Sequence, residues 1–300
     1  MNYEELGTLY YEEFWNKMRG RRFDDAVVSK GRTHNSSYLL PKDSLKKYEE
    51  LKKKEDLFAG IMTRVEVLES HHIMVNNTNS STEWVPEGAD LPAIDGEEGL
   101  EKYSVESHKI ASVVKLSNDF VYSPSFNLES DVLKTFAEGM SRAEEYAFIN
   151  GDGAEMPYGL LHAEKGAEIG AEASALTYDD VIKLYFSVKA KYRRNGKWLM
   201  NDKTALALRT LKDKDGNYLW NQADNTILGK EVLISEFMPD EGTPILFGDF
   251  KFYRIIDRYK LNIRVLKELF AAEDKIGYLG YAFMDGVLTK REAIKSLHLA

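Results

Sequence analysis

The sequence contains no cysteine in 300 residues. Disulfides, thiolate metal sites and thiol nucleophiles are excluded together, so stability rests on packing and on contacts between chains. No run approaches the roughly 18 consecutive apolar residues of a membrane span, so no membrane partner is expected. The opening, MNYEELGTLYYEEFW, is acidic and aromatic where a signal peptide would be basic and then apolar. That pattern leads us to expect a chain made and kept in the cytoplasm. Proline is scarce, 7 residues beside 21 glycines, which is too little of either for a fibrous or disordered chain. An excess of positive charge is also lacking. Lys plus Arg number 40 against 49 Asp plus Glu, a net charge of -9, which disfavours a protein whose main task is gripping phosphate backbones.

Chemical motifs are missing as well. No Gly-rich phosphate loop and no Gly-x-Gly-x-x-Gly helix opening occurs. The histidines His34, His71, His72, His108, His162 and His298 lack the His-Glu-x-x-His spacing of zinc proteases, and adjacent His71 and His72 on a strand would point to opposite faces. A Gly-x-Ser-x-Gly elbow is absent. We therefore expect no catalytic residue, no metal, no cofactor and no enzyme activity.

What remains is ordinary material for a folded chain, 43% hydrophobic and 30% charged, with length enough for about two domains or one large one. Residues 1 to about 60 read as an arm of short helices, one ending at Gly20 and one running from Pro41 to Gly60. In the second, LKKYEELKKKEDLF (45–58) alternates lysines with Glu49, Glu50, Glu55 and Asp56, the pattern of a solvated helix face. IMTRVEVLE (61–69) alternates like a strand whose Ile61, Thr63, Val65 and Val67 face is buried. From Val75 to about Lys109 turn formers and acids dominate, and SSTEWVPEGADLP with EKYSVESHKIASVVKLS suggests the two limbs of a long protruding hairpin.

The clearest element is a helix over 128–150, roughly 35 Å long at the α-helical rise. Asn127 is its N-cap, Glu129 and Asp131 suit the positive end of its dipole, and Leu128, Val132, Leu133, Phe136, Met140, Ala143 and Ala147 form its apolar stripe. The following Asn-Gly-Asp-Gly reads as a stop signal, with Gly151 expected in the left-handed conformation and Pro157 blocking resumption. Glu138, Arg142, Glu144 and Glu145 read as a solvated or interface face, with Arg142 able to pair with Glu138.

The remainder alternates helix and strand. Thr177 caps a helix whose stripe is Val181, Leu184, Tyr185, Val188 and Tyr192, ended by RRNG; KWLMN is a strand, and DKTALALRTLK a helix capped by Asn201 or Asp202. DKDGNYLW is a turn into an extended piece. EVLISEF, PILFGDF, FYRIIDR and LNIRVLKELF read as separate strands. The end of the chain adds one more strand, a turn at Asp285-Gly286, and a helix or strand holding Ala293. The fold class is α+β. An arm and a long polar hairpin cost conformational entropy that lying across neighbouring copies would offset, so an oligomer building block is expected.

The ordered set STEWVPEGADLP, SHKIASVVKLSNDFVYSP, NLESDVLKTFAEGMSRAEEYAFINGDG, PYGLL, GKWLMNDKTALALRTLKDKDGNYLW, ILGKEVLISEFMP and PILFGDFKFYRIIDR resembles the major capsid protein of tailed bacteriophages of the Hong Kong ninety-seven type. The similarity runs from about Tyr11 to the C-terminus. It implies an N-terminal arm and first peripheral strand over 1–75, an extended β-hairpin loop over 76–110, and a peripheral domain over 111–174 with 128–150 as its spine helix. An axial domain, a central sheet flanked by helices, would follow over 175–251, then peripheral strands over 252–286 and a return to the axial domain over 287–300. Assembly contacts are implied for Glu83, Trp84, Pro86, Glu87, Lys102 and Tyr103 in the extended loop, and for Glu138, Arg142, Glu145 and Gly151 on the spine helix and its end. Further contacts are implied for Lys214, Asp215, Tyr218 and Trp220 in the axial loop, and for Lys267, Glu268 and Asp274 in the peripheral hairpin.

The implied partners are copies of the chain itself in pentamers and hexamers, a portal, possible decoration proteins and non-specifically held double-stranded DNA. A virion capsid assembled in the bacterial host cytoplasm is the implied location. The sequence starts just before the arm, without the further hundred or so residues that many relatives carry there, so the resemblance implies either a separate scaffold protein or a longer chain of which this is the later part. Lys102 matches the lysine with which some relatives weld their subunits, but no Asn follows Asn262, so a non-covalent shell is expected. The alternative is a bacterial nanocompartment shell enclosing cargo protein.

Overall fold

The computed structural model describes residues 3–33, 36–67, 71–76, 84–85, 100–212, 214–218, 220 and 225–299. The N-terminal part comprises α1 (Tyr3–Met18), a short α2 (Asp25–Val28), β1 (Tyr38–Leu39), α3 (Lys42–Glu55) and β2 (Thr63–Glu66). Next come β3 (His72–Asn76), β4 (Leu100–Ser104), β5 (His108–Ser117), α4 (Asn118–Tyr122) and α5 (Leu128–Asn150). The chain continues through β6 (Glu168–Ala173), α6 (Tyr178–Ser187), α7 (Ala190–Arg193), β7 (Lys197–Met200), α8 (Asp202–Arg209), β8 (Thr226–Ile227), β9 (Lys230–Ile234) and β10 (Ile245–Gly248). It closes with β11 (Tyr253–Leu266), β12 (Lys275–Leu288) and β13 (Ile294–Leu299).

Two sheets organise these elements. The first has the order β1-β11-β12-β5, with β2 added parallel to β11. Phe14 and Met18 of α1 and Leu128, Val132, Phe136 and Met140 of α5 cover it, meeting Ile263 and Tyr278 from the sheet in one core. The second sheet has the order β6-β13-β10-β7-β9-β8. Val181 and Leu184 of α6 pack with Trp198, Phe247 and Leu297 in its core. A further cluster, with Phe148, Leu199, Leu246, Tyr253 and Ile294, joins the end of α5 to both sheets.

Helix α5 has the predicted bounds, and the Asn127 side chain accepts a hydrogen bond from the Ser130 amide at 3.1 Å. Its stripe differs at one place. Ala143 is exposed, and the buried residue on that turn is Glu144, which lies four residues beyond Met140 and three before Ala147. Gly151 is extended, with φ -60 and ψ 145, rather than left-handed. Its lack of a side chain serves close approach, since a Cβ there would sit 1.8 Å from the Pro157 carbonyl oxygen. The left-handed glycine of the turn is Gly153, at φ 77, and the Asp152 carboxylate accepts the amides of Ala154, Glu155 and Met156. The Gly-Asp-Gly segment is thus a self-satisfied helix stop.

Other predicted boundaries shift for identifiable reasons. The helix capped by Thr177 ends at Ser187, where Val188 turns extended and α7 starts anew, so the expected single helix is two. The strands expected at FYRIIDR and LNIRVLKELF are one, β11, whose alternation is interrupted by irregularities between Asp257 and Asn262. The predicted turn at Asp285-Gly286 does not exist. Both residues lie within β12, opposite Ile256 and Ile255, and Gly286 leaves room for the Tyr253 ring. Ala293 precedes a final strand. Residues 100–104 pair with 72–76, upstream of the limb expected at 80–92, most of which lies outside the described residues.

Candidate assembly surfaces and the charged junction behind them

The base of the polar segment is fastened to the body of the chain. Ile73, Val75 and Val105 form a small core with Ile256. The Tyr103 hydroxyl donates to the Thr289 carbonyl oxygen at 2.8 Å, the Glu106 amide donates to Asp285 at 2.7 Å, and Arg258 donates to the Val105 carbonyl oxygen at 3.3 Å. Tyr103 therefore anchors the strand to its own chain. Lys102, opposite Met74 in the two-stranded pairing, is exposed. Trp84 is fully exposed, while Glu83, Pro86 and Glu87 lie outside the described residues.

On α5 the predicted pair between Glu138 and Arg142 is not formed. Glu138 meets Lys134 at 3.6 Å, and Arg142 reaches Glu236 at 3.0 Å, with its guanidinium 5.6 Å from the Phe237 ring centre. Glu145 accepts from the Ser235 hydroxyl at 2.5 Å, and burial raises its pKa. Arg142, Tyr146 and Phe237 line a groove of about 500 Å³ beside His108 and Lys109.

The remaining predicted contacts fall on turns. Lys214, Asp215 and Tyr218 are exposed, the last beneath the Lys212 ammonium at 4.8 Å. Trp220 is the exception. Only 3% exposed, it packs in the core of the second sheet beneath Arg209, because its indole carries more apolar surface than a solvent-facing loop can leave wet. Lys267 and Glu268 are exposed, and Asp274 holds a left-handed turn at φ 53 in which it accepts from the Asn118 side-chain amide.

The residue that the sequence reading misplaced most is Glu144. At 2% exposure it lies under the sheet side of α5, where Lys52 of α3 and Arg64 of β2 both reach it, Arg64 at 2.8 Å. Arg64 also grips Asp257 of β11 at 2.9 and 3.2 Å and lies 3.6 Å from Asp56. Burial alone would raise the Glu144 pKa, but Lys52 and Arg64 outweigh it and hold the carboxyl below its ordinary value. Asp56 and Asp257 are shifted upward, chiefly by burial. A cavity of about 310 Å³ adjoins the group, lined by Tyr48, Lys52, Arg64 and Asp257. The junction ties the N-terminal helices to α5 and to the first sheet. It is an electrostatic joint between elements, and its charges are satisfied by one another.

These features define a structural subunit with exposed aromatic and charged projections. Comparison with known proteins agrees. The phage capsid family matches residues 36–299, and the chain belongs to that family. Among solved structures it is similar to the capsid of an empty GTA particle computed with C5 symmetry, at 29% identity and a TM-score of 0.67 over 82% of this chain and 90% of that one. The capsid of a native GTA particle matches at 30% identity and a TM-score of 0.63, over 81% and 89% of the two chains. A chain of Gordonia phage Cozz shares the fold at 15% identity and a TM-score of 0.56, over 82% and 87%. No curated protein sequence matches the chain. The function is that of a major capsid protein, a subunit of an icosahedral shell. The nanocompartment alternative is not favoured, since these matches are to phage and GTA capsids.

Proposed function

We propose that the chain assembles as pentamers and hexamers of a non-covalent shell that encloses double-stranded DNA. The observation that carries this reading is the fastened base of β3 and β4 beside a fully exposed Trp84. An indole left wholly in water forgoes roughly 2 kcal/mol or more of burial, which a neighbouring copy would supply. In this reading the segment between β3 and β4 reaches over the adjacent subunit, while β3, β4 and β5 stay with their own chain. The first sheet and α5 form the peripheral domain, and the second sheet forms the axial domain. The loop at Lys214, Asp215 and Tyr218 approaches the capsomer centre, and Lys267, Glu268 and Asp274 meet neighbours near the three-fold axes. A separate scaffold protein and a portal complete the particle, which is put together in the host cytoplasm. Negative-stain microscopy of the purified chain tests the reading. Closed particles or ring-shaped capsomers are expected, and a preparation made only of compact single chains would overturn it.

A further inference from the structure

We propose that the α7 face of the second sheet is where this shell touches the phosphate backbone of its double-stranded DNA, an inference that rests on the DNA-enclosing reading above. The run KAKYRRNGK, residues 189–197, holds Lys189, Lys191, Arg193, Arg194 and Lys197 without one acid, in a chain of net charge -9. Folding adds to it from two distant segments. Lys230 is drawn onto the Arg194 carbonyl oxygen at 2.7 Å. Lys290 stands over Phe252, whose ring packs edge-on against Tyr192 at 5.1 Å.

The opposing charge is small. Glu292 serves both Lys189 and Lys191, Glu231 serves Lys197, and Asp249 is buried behind Asn195. Among the described residues no carboxylate lies within ion-pair distance of Arg193, Arg194, Lys230 or Lys290. The Arg193 guanidinium lies against two aromatic rings, 4.8 Å from the Phe186 ring centre and 5.2 Å from that of Tyr185. A planar guanidinium fixed on aromatic rings is preorganised for a phosphate oxygen and loses little freedom on binding.

The charge distribution favours a polyanion. An acidic wall repels DNA, so a local basic face sets which surface the duplex can approach, and contact there needs no reading of base edges. The basic face of α3 is a weaker candidate because Glu49, Glu50 and Glu55 are interleaved with its lysines.

The test uses the full chain and a 30-bp duplex of mixed sequence, followed by fluorescence anisotropy across a salt series. The triple variant Lys191→Glu, Arg194→Glu, Lys230→Glu is compared with a control of equal charge change on α3, Lys46→Glu, Lys53→Glu, Lys54→Glu. A Gln version of the first variant guards against misfolding. Expected is at least a tenfold loss of affinity for the α7-face variants, with the logarithmic salt slope reduced by about 3, and less than threefold loss for the α3 control. Equal losses in both sets, or no loss in either, would overturn the assignment. So would preferential binding of a poly-glutamate peptide over the duplex, which would make the face a dock for acidic protein. Particle formation is scored in parallel by negative stain: intact shells without the expected DNA effect sink this inference alone, whereas absence of shells removes the reading on which it rests.

Discussion

Glu144 is a buried carboxylate on which two cations from separate elements converge. It receives Lys52 and Arg64, and Arg64 in turn holds Asp257. Replacing one member of such a group strands the others, so Glu144→Gln should cost about 3–5 kcal/mol at neutral pH, measured by urea unfolding. The pH dependence follows from the direction of the shift. The folded pKa of Glu144 lies below its unfolded value. Its contribution is therefore present above the unfolded value, about 4.3 for a free glutamate, and is lost as pH falls through the folded value. The stability gap between the natural chain and Glu144→Gln should shrink steadily on acidification below about pH 4; a gap independent of pH would show that Glu144 is not charged in the fold. In the sequence, position 144 falls on the helical stripe between Met140 and Ala147, and that spacing was the available signal. Its partners could not be read, because Lys52, Arg64 and Asp257 sit on three separate elements.

At the scale of elements, local chemistry was most readable where one segment settles its own ends. Helix α5 starts at a side-chain cap and stops at a turn closed by its own Asp152. Asn127→Ala should lower stability by about 1 kcal/mol, checked by the shift of the unfolding midpoint, while the helix itself persists because its apolar face is buried in the first core. The long strands were less readable. Irregular pairing in β11 breaks the alternation on which a strand is recognised, and Gly286 looked like a turn although its role is to admit Tyr253. The division between α6 and α7 falls at Val188, which is extended and fully buried in the core of the second sheet.

For the whole molecule, the informative contrast is between two well-packed sheets and the projections that leave them. The base of the polar segment is held by its own core and hydrogen bonds, so the body does not depend on what lies beyond. Replacing residues 77–99, between β3 and β4, by a short Gly-Ser linker leaves that base in place. It should leave both sheets folded, as shown by an unchanged cooperative unfolding transition of the main body, and abolish closed particles under negative stain. Closed particles formed as readily by this variant would contradict the role of the segment in joining copies.

The sequence by itself determined the absence of thiol chemistry, the acidic balance, the bounds of α5, the cap at Thr177 and the motif order by which the family is recognised. These depend on composition and on residues within a few positions of one another. Only the tertiary structure decided that Glu144 is buried, that Trp220 belongs to a core, that β11 and β12 run unbroken, and that Lys230 and Lys290 join the basic run before β7. Each of these depends on residues far apart in the chain, and long-range pairing and burial are set by the packed whole, where the fit of one element against another overrides the local pattern.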